Sequence, residues 1–130
     1  MDLNRLACPC CGKSECTPAL LAALDTLEST DGPQKITSGF RCKEHQSVLR
    51  LAWVRGKMEW EKTHPGDRYR VPEPSLHSQH STGNAIDELC PNDEQPERIA
   101  AAKRAGFRGI GIGNGMLHLD VRQSETTWRY

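Results

Sequence analysis

Two short segments of the sequence bring histidine and aspartate close together. The first covers positions 78–87, where His80 and Asp87 lie seven positions apart with mostly small residues between them. The second lies near the C-terminal end, where His118 and Asp120 lie two positions apart. Histidine nitrogens and aspartate oxygens are common ligands of zinc, so both segments are candidates for a metal site.

The second segment lies on a predicted strand, and this placement decides what its side chains can reach. Residues 116–121 predict the last strand of the domain. Because side chains two positions apart on a strand point to the same face, His118 and Asp120 should face one space. His80, Asp87 and His118 would then supply three protein ligands, and zinc with three protein ligands and a water in the fourth position is the catalytic arrangement. Asp120 would either accept a proton from that water or orient a ligand histidine.

The remaining sequence predicts alternating helices and strands. Thr17 and Pro18 are favourable residues at the start of a helix, and Gly113-Asn114-Gly115 is a strong hairpin signal. We predict helices over 18–30, 42–62 and 94–105, strands over 35–37, 85–89, 107–112 and 116–121, and an exposed loop over 64–74. This order predicts an α+β fold: one small domain over residues 1–130, with an antiparallel sheet and helices packed on one side.

Six segments of the chain resemble one family of enzymes. They are CPCCG at 8–12, ITSGFRC at 36–42, the segment at 78–87, GFRGIGIG at 106–113, HLDVR at 118–122 and WRY at 128–130. In this order they resemble the zinc D-Ala-D-Ala carboxypeptidase family, above all its short phage-type branch, whose relatives include L-alanyl-D-glutamate endolysins. The metal site of that family is similar to that of the Hedgehog signalling domain. The resemblance therefore implies a Hedgehog/DD-peptidase-like fold with one catalytic zinc ion.

The resemblance also implies a role for each residue of the site. His80, Asp87 and His118 match the three zinc ligands. Arg41 matches an arginine that holds the substrate or its developing oxyanion, and Ser78 matches a serine near the metal. From the residues alone, a surface salt bridge for Arg41 and a loop-capping role for Ser78 stay open as alternatives.

Two features depart from the family pattern. Many members carry the catalytic acid/base carboxylate three residues before the third ligand, where this sequence has Gly115, so Asp120 is the substitute that we expect to act as the base. The stretch between Arg41 and Ser78 also looks longer than in the compact phage members. We expect an insertion loop over 55–75 that forms a wall of the cleft.

These matches predict a zinc metallopeptidase that acts on the peptide stems of peptidoglycan. The expected reaction is cleavage of the L-Ala–D-Glu bond by a zinc-bound water, with Asp120 as proton acceptor and with Arg41 and zinc stabilising the oxyanion. Other functions stay open. One is removal of the terminal residue by a D-Ala-D-Ala carboxypeptidase. The others are a Hedgehog-like zinc-binding module without catalysis and an interaction protein built on a zinc knuckle.

The cysteines admit two interpretations. In a Cys-rich N-terminal segment over 1–16, the residues CPCCG at 8–12 resemble half a zinc knuckle, with Cys16 as a possible third ligand. The other interpretation is disulfide bonding in an oxidising compartment, with Cys42 and Cys90 as a plausible long-range pair. The full set is Cys8, Cys10, Cys11, Cys16, Cys42 and Cys90.

Composition limits the partners and the compartment. Lys and Arg number 17 and Asp and Glu number 17, so the formal net charge of zero argues against a nucleic-acid partner. No apolar run approaches the ~20 residues of a membrane helix, and no apolar segment of a secretory signal is visible. We therefore expect a monomer that is made in the cytoplasm, leaves through a holin-type pore as the phage enzymes it resembles do, and acts on stem peptides in the periplasm or cell-wall space.

Overall fold

Three helices and five strands form the fold within residues 3–75 and 78–130, the part of the chain that the structure, a computed structural model, describes. The helices are α1 (Pro18–Asp31), α2 (Lys43–Thr63) and α3 (Gln95–Ala105). The strands are β1 (Lys35–Ser38), β2 (Ala85–Leu89), β3 (Gly109–Gly113), β4 (Met116–Asp120) and β5 (Thr126–Arg129), and short 3₁₀ turns cover Leu3–Leu6 and Asn92–Glu94. Positions 1 and 2 of the expected Cys-rich segment lie outside the described residues. None of the described helices is both long and apolar enough to cross a lipid bilayer.

Local signals at the ends of elements explain why the predicted helices and strands are confirmed. Thr17 begins α1, and its hydroxyl accepts a hydrogen bond from the Leu20 amide at 3.2 Å. Gly106 ends α3 with a φ of 115°, a backbone conformation that favours glycine. Asn114 and Gly115 form the two-residue connection between β3 and β4.

The five strands form one mixed sheet in the order β1-β2-β4-β3-β5. Neighbouring strands run antiparallel except β5, which runs parallel to β3. The expected antiparallel sheet is therefore wrong at this edge, and β5 is not among the predicted strands. The reason lies in the short connection over 121–125. The last residue of β4, Asp120, pairs with the first residue of β3, Gly109, so the chain leaves β4 beside the start of β3. A strand that then forms along the outer edge of β3 runs parallel to it.

Alternation along β4 divides the sheet into two faces. Leu117 and Leu119 are fully buried and pack in the core with residues of α1 and α3. His118 and Asp120 point to the opposite face, which we call the site face. The core includes Leu20, Leu24, Leu27, Ile86, Ala102, Phe107, Ile110, Leu117 and Leu119. One strand therefore supplies side chains to both the core and the site face.

Helix α2 departs from the expected packing of all helices on one side. It fully buries one side chain, that of Gln46, and its residues border a groove on the site face instead of joining the core with α1 and α3. Of the expected insertion loop over 55–75, residues 55–63 belong to α2, and only residues 64–75 lack regular structure. The helix predicted over 42–62 is therefore confirmed, and the expected insertion loop is wrong where the two predictions overlap.

Aromatic contacts hold α2 against the segment that follows it. The rings of Trp53 and Trp60 lie 5.8 and 5.7 Å from the ring of Tyr69, measured between centroids. The Trp53 indole N–H donates to the Val71 carbonyl at 2.7 Å. A Cβ on Gly56 would lie 3.0 Å from the Tyr69 hydroxyl, so glycine leaves room for this contact inside the helix. Residues 43–75 thus form one folded wall.

Every second residue of β3 is a glycine, and these glycines lie on the site face. Gly109 pairs with Asp120, and Gly111 pairs with His118. A Cβ on Gly109 would lie 2.1 Å from Asp120 Oδ1, and one on Gly111 would lie 2.8 Å from the Trp128 ring. The glycines therefore leave the space that side chains of β4 and β5 occupy.

Gly83 shapes the turn between His80 and Asp87. Its φ is 76°, and its amide donates to the His80 carbonyl at 3.3 Å. Its carbonyl accepts from the Thr17 amide at 2.9 Å, and a Cβ would lie 1.9 Å from the Glu15 carbonyl oxygen. The absence of a side chain thus lets the N-terminal segment approach the turn.

We expect Gly83→Ala to destabilise the protein by about 2 kcal/mol more than Gly115→Ala, because only the first places a methyl group inside another backbone. The two positions have similar φ values, 76° and 71°, so the backbone strain should be alike, about 1 kcal/mol each. Nothing lies within 4 Å of a Cβ on Gly115. Chemical unfolding followed by circular dichroism measures both variants, and equal losses would contradict this account.

Candidate metal centre

Three side chains from separate parts of the chain meet on the site face. His80 lies in the turn before β2, Asp87 lies on β2, and His118 lies on β4 directly opposite Asp87. Asp87 Oδ1 lies 3.2 Å from His80 Nε2 and 3.1 Å from His118 Nδ1. The ligand atoms of the three residues all lie within 4.8 Å of one another. The structure therefore brings the three residues predicted as metal ligands into one possible metal-binding cluster.

The outer ring nitrogen of each histidine has its own partner. His80 Nδ1 lies 2.8 Å from the Gly39 carbonyl oxygen, and His118 Nε2 lies 2.7 Å from Asp120 Oδ2. A carbonyl and a carboxylate can only accept, so these two bonds place protons on the outer nitrogens. The inner nitrogens then both face Asp87 Oδ1. A proton or a metal ion held between these atoms removes the repulsion between the nitrogen lone pairs and the carboxylate oxygen.

Asp87 carries the negative charge of the cluster. Burial opposes ionisation of its carboxyl, but hydrogen bonds with His118 and His80 outweigh burial and hold its pKa well below the usual range. The other oxygen, Oδ2, accepts from Arg41 Nη2 at 2.8 Å, and Arg41 Nε donates to the Ser38 hydroxyl at 2.8 Å. Arg41 therefore orients the carboxylate of a candidate ligand.

Asp120 is fully buried and uses both carboxylate oxygens within the protein. Arg122 Nε donates to Oδ1 at 2.8 Å and Arg122 Nη2 donates to Oδ2 at 2.6 Å. Burial opposes ionisation, but Arg122 and His118 outweigh it and hold the pKa of Asp120 well below its usual range. Burial lowers the pKa of His118, but the bonds with Asp120 and Asp87 raise it overall. Of the two roles considered for Asp120, orienting a ligand histidine fits these contacts.

A groove of about 910 Å³ opens beside the cluster. The site face borders it with His118, Trp128 and Tyr130, and the wall of α2 and its following segment borders it with Trp53, Tyr69 and residues 71–75. Aromatic rings therefore lie on both sides of the space in front of the cluster.

The predicted site residues divide into those that line the groove and one that does not. All except Asp120 line it: Arg41, Ser78, His80, Asp87 and His118. The Ser78 hydroxyl accepts from the His80 amide at 3.1 Å, which is the capping role left open from the sequence. Ser78 thus both shapes the turn and faces the groove.

Two residues beside the cluster are not among the predicted site residues. The Trp128 ring lies 5.2 Å from the His118 ring between centroids, and the Arg122 guanidinium carbon lies 4.8 Å from the Trp128 centroid. Both occur in segments that carry the family resemblance, HLDVR and WRY, so the sequence contained a signal. Their contact depends on β5 lying beside β3, which local patterns did not predict.

Four cysteines form a second possible metal-binding cluster, and their sulfur atoms lie within 4.8 Å of one another: Cys8, Cys10, Cys11 and Cys42. Cys16, considered from the sequence as a third ligand of a knuckle, lies beside the Ser14 hydroxyl instead. All six cysteines are free thiols, and Cys90 is buried in the core. The structure therefore does not join Cys42 to Cys90, the pair considered under the disulfide interpretation.

We expect Asp120→Asn to weaken metal binding at the His80 cluster by about 10–100-fold, because the new amide N–H₂ must face either His118 Nε2 or Arg122, which are both donors. Competition with a chelating dye measures the affinity. Asp25→Asn, at an exposed position of α1, is the matched control and should bind as the wild type does. Equal affinities of the three proteins would refute the positioning role.

Comparison with known proteins adds no family assignment. No family model, no curated protein and no solved structure matches the chain. The resemblance to the zinc D-Ala-D-Ala carboxypeptidase family therefore rests on the sequence motifs, and what that resemblance implies about activity is a proposal.

Proposed function

We propose that this protein is a zinc-dependent peptidase of peptidoglycan that cuts the L-Ala–D-Glu bond of the stem peptide. The observation that carries the proposal is the convergence of His80, Asp87 and His118 on a groove large enough for a peptide segment. The motif resemblance supplies the substrate class, and the geometry supplies the support for metal chemistry.

Zinc fits the donor set of the cluster. Bonds of about 2.0–2.1 Å from a tetrahedral zinc ion to nitrogen or oxygen place neighbouring ligand atoms about 3.3 Å apart. The two distances from Asp87 Oδ1 to the histidine nitrogens, 3.2 and 3.1 Å, are close to this value. Two imidazoles and one carboxylate leave a fourth position for water. When bound there, zinc would activate that water as a nucleophile and polarise the scissile carbonyl.

The protein itself holds the donors in the orientation that this chemistry needs. The Gly39 carbonyl and Asp120 keep the histidine protons on the outer nitrogens, so the inner nitrogens need no change of tautomer. Arg41 uses Nε and Nη2 for Ser38 and Asp87, and Nη1 is the nitrogen that can donate to a substrate oxygen. This geometry supports the expected role of Arg41 at the substrate.

The lining of the groove suits a peptide that carries carboxylates. Arg41 and Arg122 supply positive charge beside the cluster, and Trp53, Tyr69 and Trp128 supply apolar surface. A stem peptide combines small alanine side chains with the carboxylates of D-Glu and of its terminus. The arginines can bind the carboxylates of such a substrate, and the aromatic rings can pack against its alanine side chains.

Proton transfer needs a group that reaches the bound substrate. Two carboxylates line the groove, Asp87 and Glu73, and Asp87 already belongs to the metal-binding cluster. Glu73 pairs with Arg50 at 2.7 Å, and its side chain is 45% exposed. We assign Glu73 the proton-accepting role that we expected of Asp120 from the sequence, and we assign Asp120 the positioning of His118.

The proposed substrate places the action of the protein in the periplasm or the cell-wall space. Passage through a holin-type pore is the route that the resemblance implies, and it forms part of this proposal together with a monomeric state. Release of the protein from cells only while a co-expressed holin is active would support this route.

Digestion of purified muropeptides by the zinc-loaded protein, followed by mass spectrometry, tests the reaction. We expect free stem peptides that lack L-Ala, and no product from His80→Ala or after chelation, because both remove the metal. Loss of terminal D-Ala alone would show the carboxypeptidase instead. Absence of any product from the zinc-loaded wild type would favour a binding module without catalysis.

We expect Glu73→Gln to lower kcat by about 10²–10⁴-fold while zinc content stays unchanged, because the amide cannot accept the water proton. Glu59→Gln, on the exposed surface of α2, is the matched control and should keep full activity. Turnover of the zinc-loaded variants on a synthetic stem peptide measures the effect. Full activity of Glu73→Gln would rule out this assignment.

A further inference from the structure

Four thiols from two distant parts of the chain meet at one point, away from the His80 cluster. Cys8 Sγ lies 3.4 Å from Cys10 Sγ and 3.7 Å from Cys42 Sγ, and Cys10 Sγ lies 3.1 Å from Cys42 Sγ. Cys11 completes the group, with all sulfur atoms within 4.8 Å of one another. Cys8 and Cys11 have the C-x-x-C spacing of zinc knuckles, and Cys42 comes from the start of α2.

The sulfur spacing fits a shared ion better than a covalent bond. A disulfide needs its sulfur atoms about 2.05 Å apart. Four thiolates around a tetrahedral zinc ion, each with a bond of about 2.3 Å, lie about 3.8 Å from one another. The distances of 3.1, 3.4 and 3.7 Å are near this value, and they form a network instead of two separate pairs.

Backbone hydrogen bonds shape the loop that presents three of the thiols. The Cys8 amide donates to the Lys13 carbonyl at 2.7 Å, and the Gly12 amide donates to the Cys8 carbonyl at 2.8 Å. Gly12 has a φ of 74°, which favours glycine and closes the loop. The geometry of residues 8–13 is therefore fixed by backbone contacts, independently of an ion.

Amide groups also point at the sulfur atoms. The Cys42 amide donates to Cys8 Sγ at 3.5 Å, and the His45 amide donates to Cys42 Sγ at 3.4 Å. Cys42 occupies the N-cap of α2, where the positive end of the helix dipole favours a negatively charged sulfur. Amide donors that face sulfur in this way are compatible with thiolate ligands, the form in which cysteine binds a metal ion.

We propose that Cys8, Cys10, Cys11 and Cys42 bind a second zinc ion in a closed structural site. Four thiolates favour zinc over magnesium or calcium, which prefer oxygen ligands. With four protein ligands the site has no open position for water or substrate, so its role is to join two parts of the chain. The site does not depend on the proposed peptidase activity.

The segments that the four-cysteine site joins include residues that hold the His80 cluster in place. Cys42 directly follows residues 39–41. In that segment the Gly39 carbonyl bonds to the His80 ring, and Arg41 bonds to Asp87. The N-terminal turn packs against the same segment: the Phe40 amide donates to the Leu6 carbonyl at 2.8 Å, and a Cβ on Gly39 would lie 2.6 Å from Leu6 Cα. Zinc at the four cysteines would clamp this segment between the turn and α2.

Metal analysis of protein purified under reducing conditions provides the first test. We expect about two zinc ions per chain in the wild type and in Cys16→Ser, the matched control outside the cluster. We expect about one in His80→Ala and about one in the Cys10→Ser, Cys11→Ser double variant, whose two positions are exposed. One zinc in the wild type and none in His80→Ala would overturn the proposal.

Cobalt substitution provides a test that does not need the cysteine variant to fold. Cobalt bound by thiolates shows strong sulfur-to-metal charge-transfer absorption in the near ultraviolet, which cobalt bound by two histidines and an aspartate lacks. We expect this absorption in cobalt-loaded wild type and in His80→Ala, where only the cysteine site remains. Its absence from both proteins would refute the site, and so would alkylation mass spectrometry that finds these four cysteines in disulfides in folded protein purified under reducing conditions.

Discussion

The pairing of β2 with β4 in a single register is the constraint on which the candidate site depends. It places Asp87 opposite His118 on the site face and Ile86 opposite Leu119 in the core. A slip of one residue would exchange the two faces, moving the histidine into the core and the apolar side chains into the groove. Each buried leucine or isoleucine stabilises the correct register by roughly 1.5–3 kcal/mol, so the core holds the geometry that the ligands need.

Charge around the His80 cluster is balanced residue by residue. Asp87 pairs with Arg41, and Asp120 pairs with Arg122. With neutral histidines, two carboxylates and two guanidinium groups sum to zero. A divalent ion held by this set would keep its full positive charge, because the surrounding charges already cancel. The arginines also satisfy carboxylates whose burial without a partner would be strongly unfavourable.

The sequence predicts those parts of the molecule that depend on short-range patterns. Strand alternation places His118 on one face, and the caps at Thr17 and Gly106 mark the ends of helices. The parts that it does not predict depend on packing between distant segments. The position of β5 depends on how β4 ends, and the engagement of Asp120 by Arg122 depends on burial beneath the groove.

The same distinction holds for the cysteines and for α2. Cys8 and Cys11 have a recognisable spacing, but Cys42 joins them only because the N-terminal turn packs against the chain just before α2. The predicted helix over 42–62 forms as α2 although Gly56 weakens helix formation in isolation. Its contact with Tyr69 is a tertiary compensation that no window of local sequence contains.

The wall of residues 43–75 is continuous in sequence, whereas the residues that hold the cluster come from the segment before it and from the strands after it. The aromatic contacts that hold this stretch together, among Trp53, Trp60 and Tyr69, all lie within it. Evolution can therefore lengthen, shorten or replace this one stretch without altering a metal-binding residue. The architecture separates the stretch that shapes one side of the groove from the three residues of the candidate metal cluster, and the two can diverge at different rates.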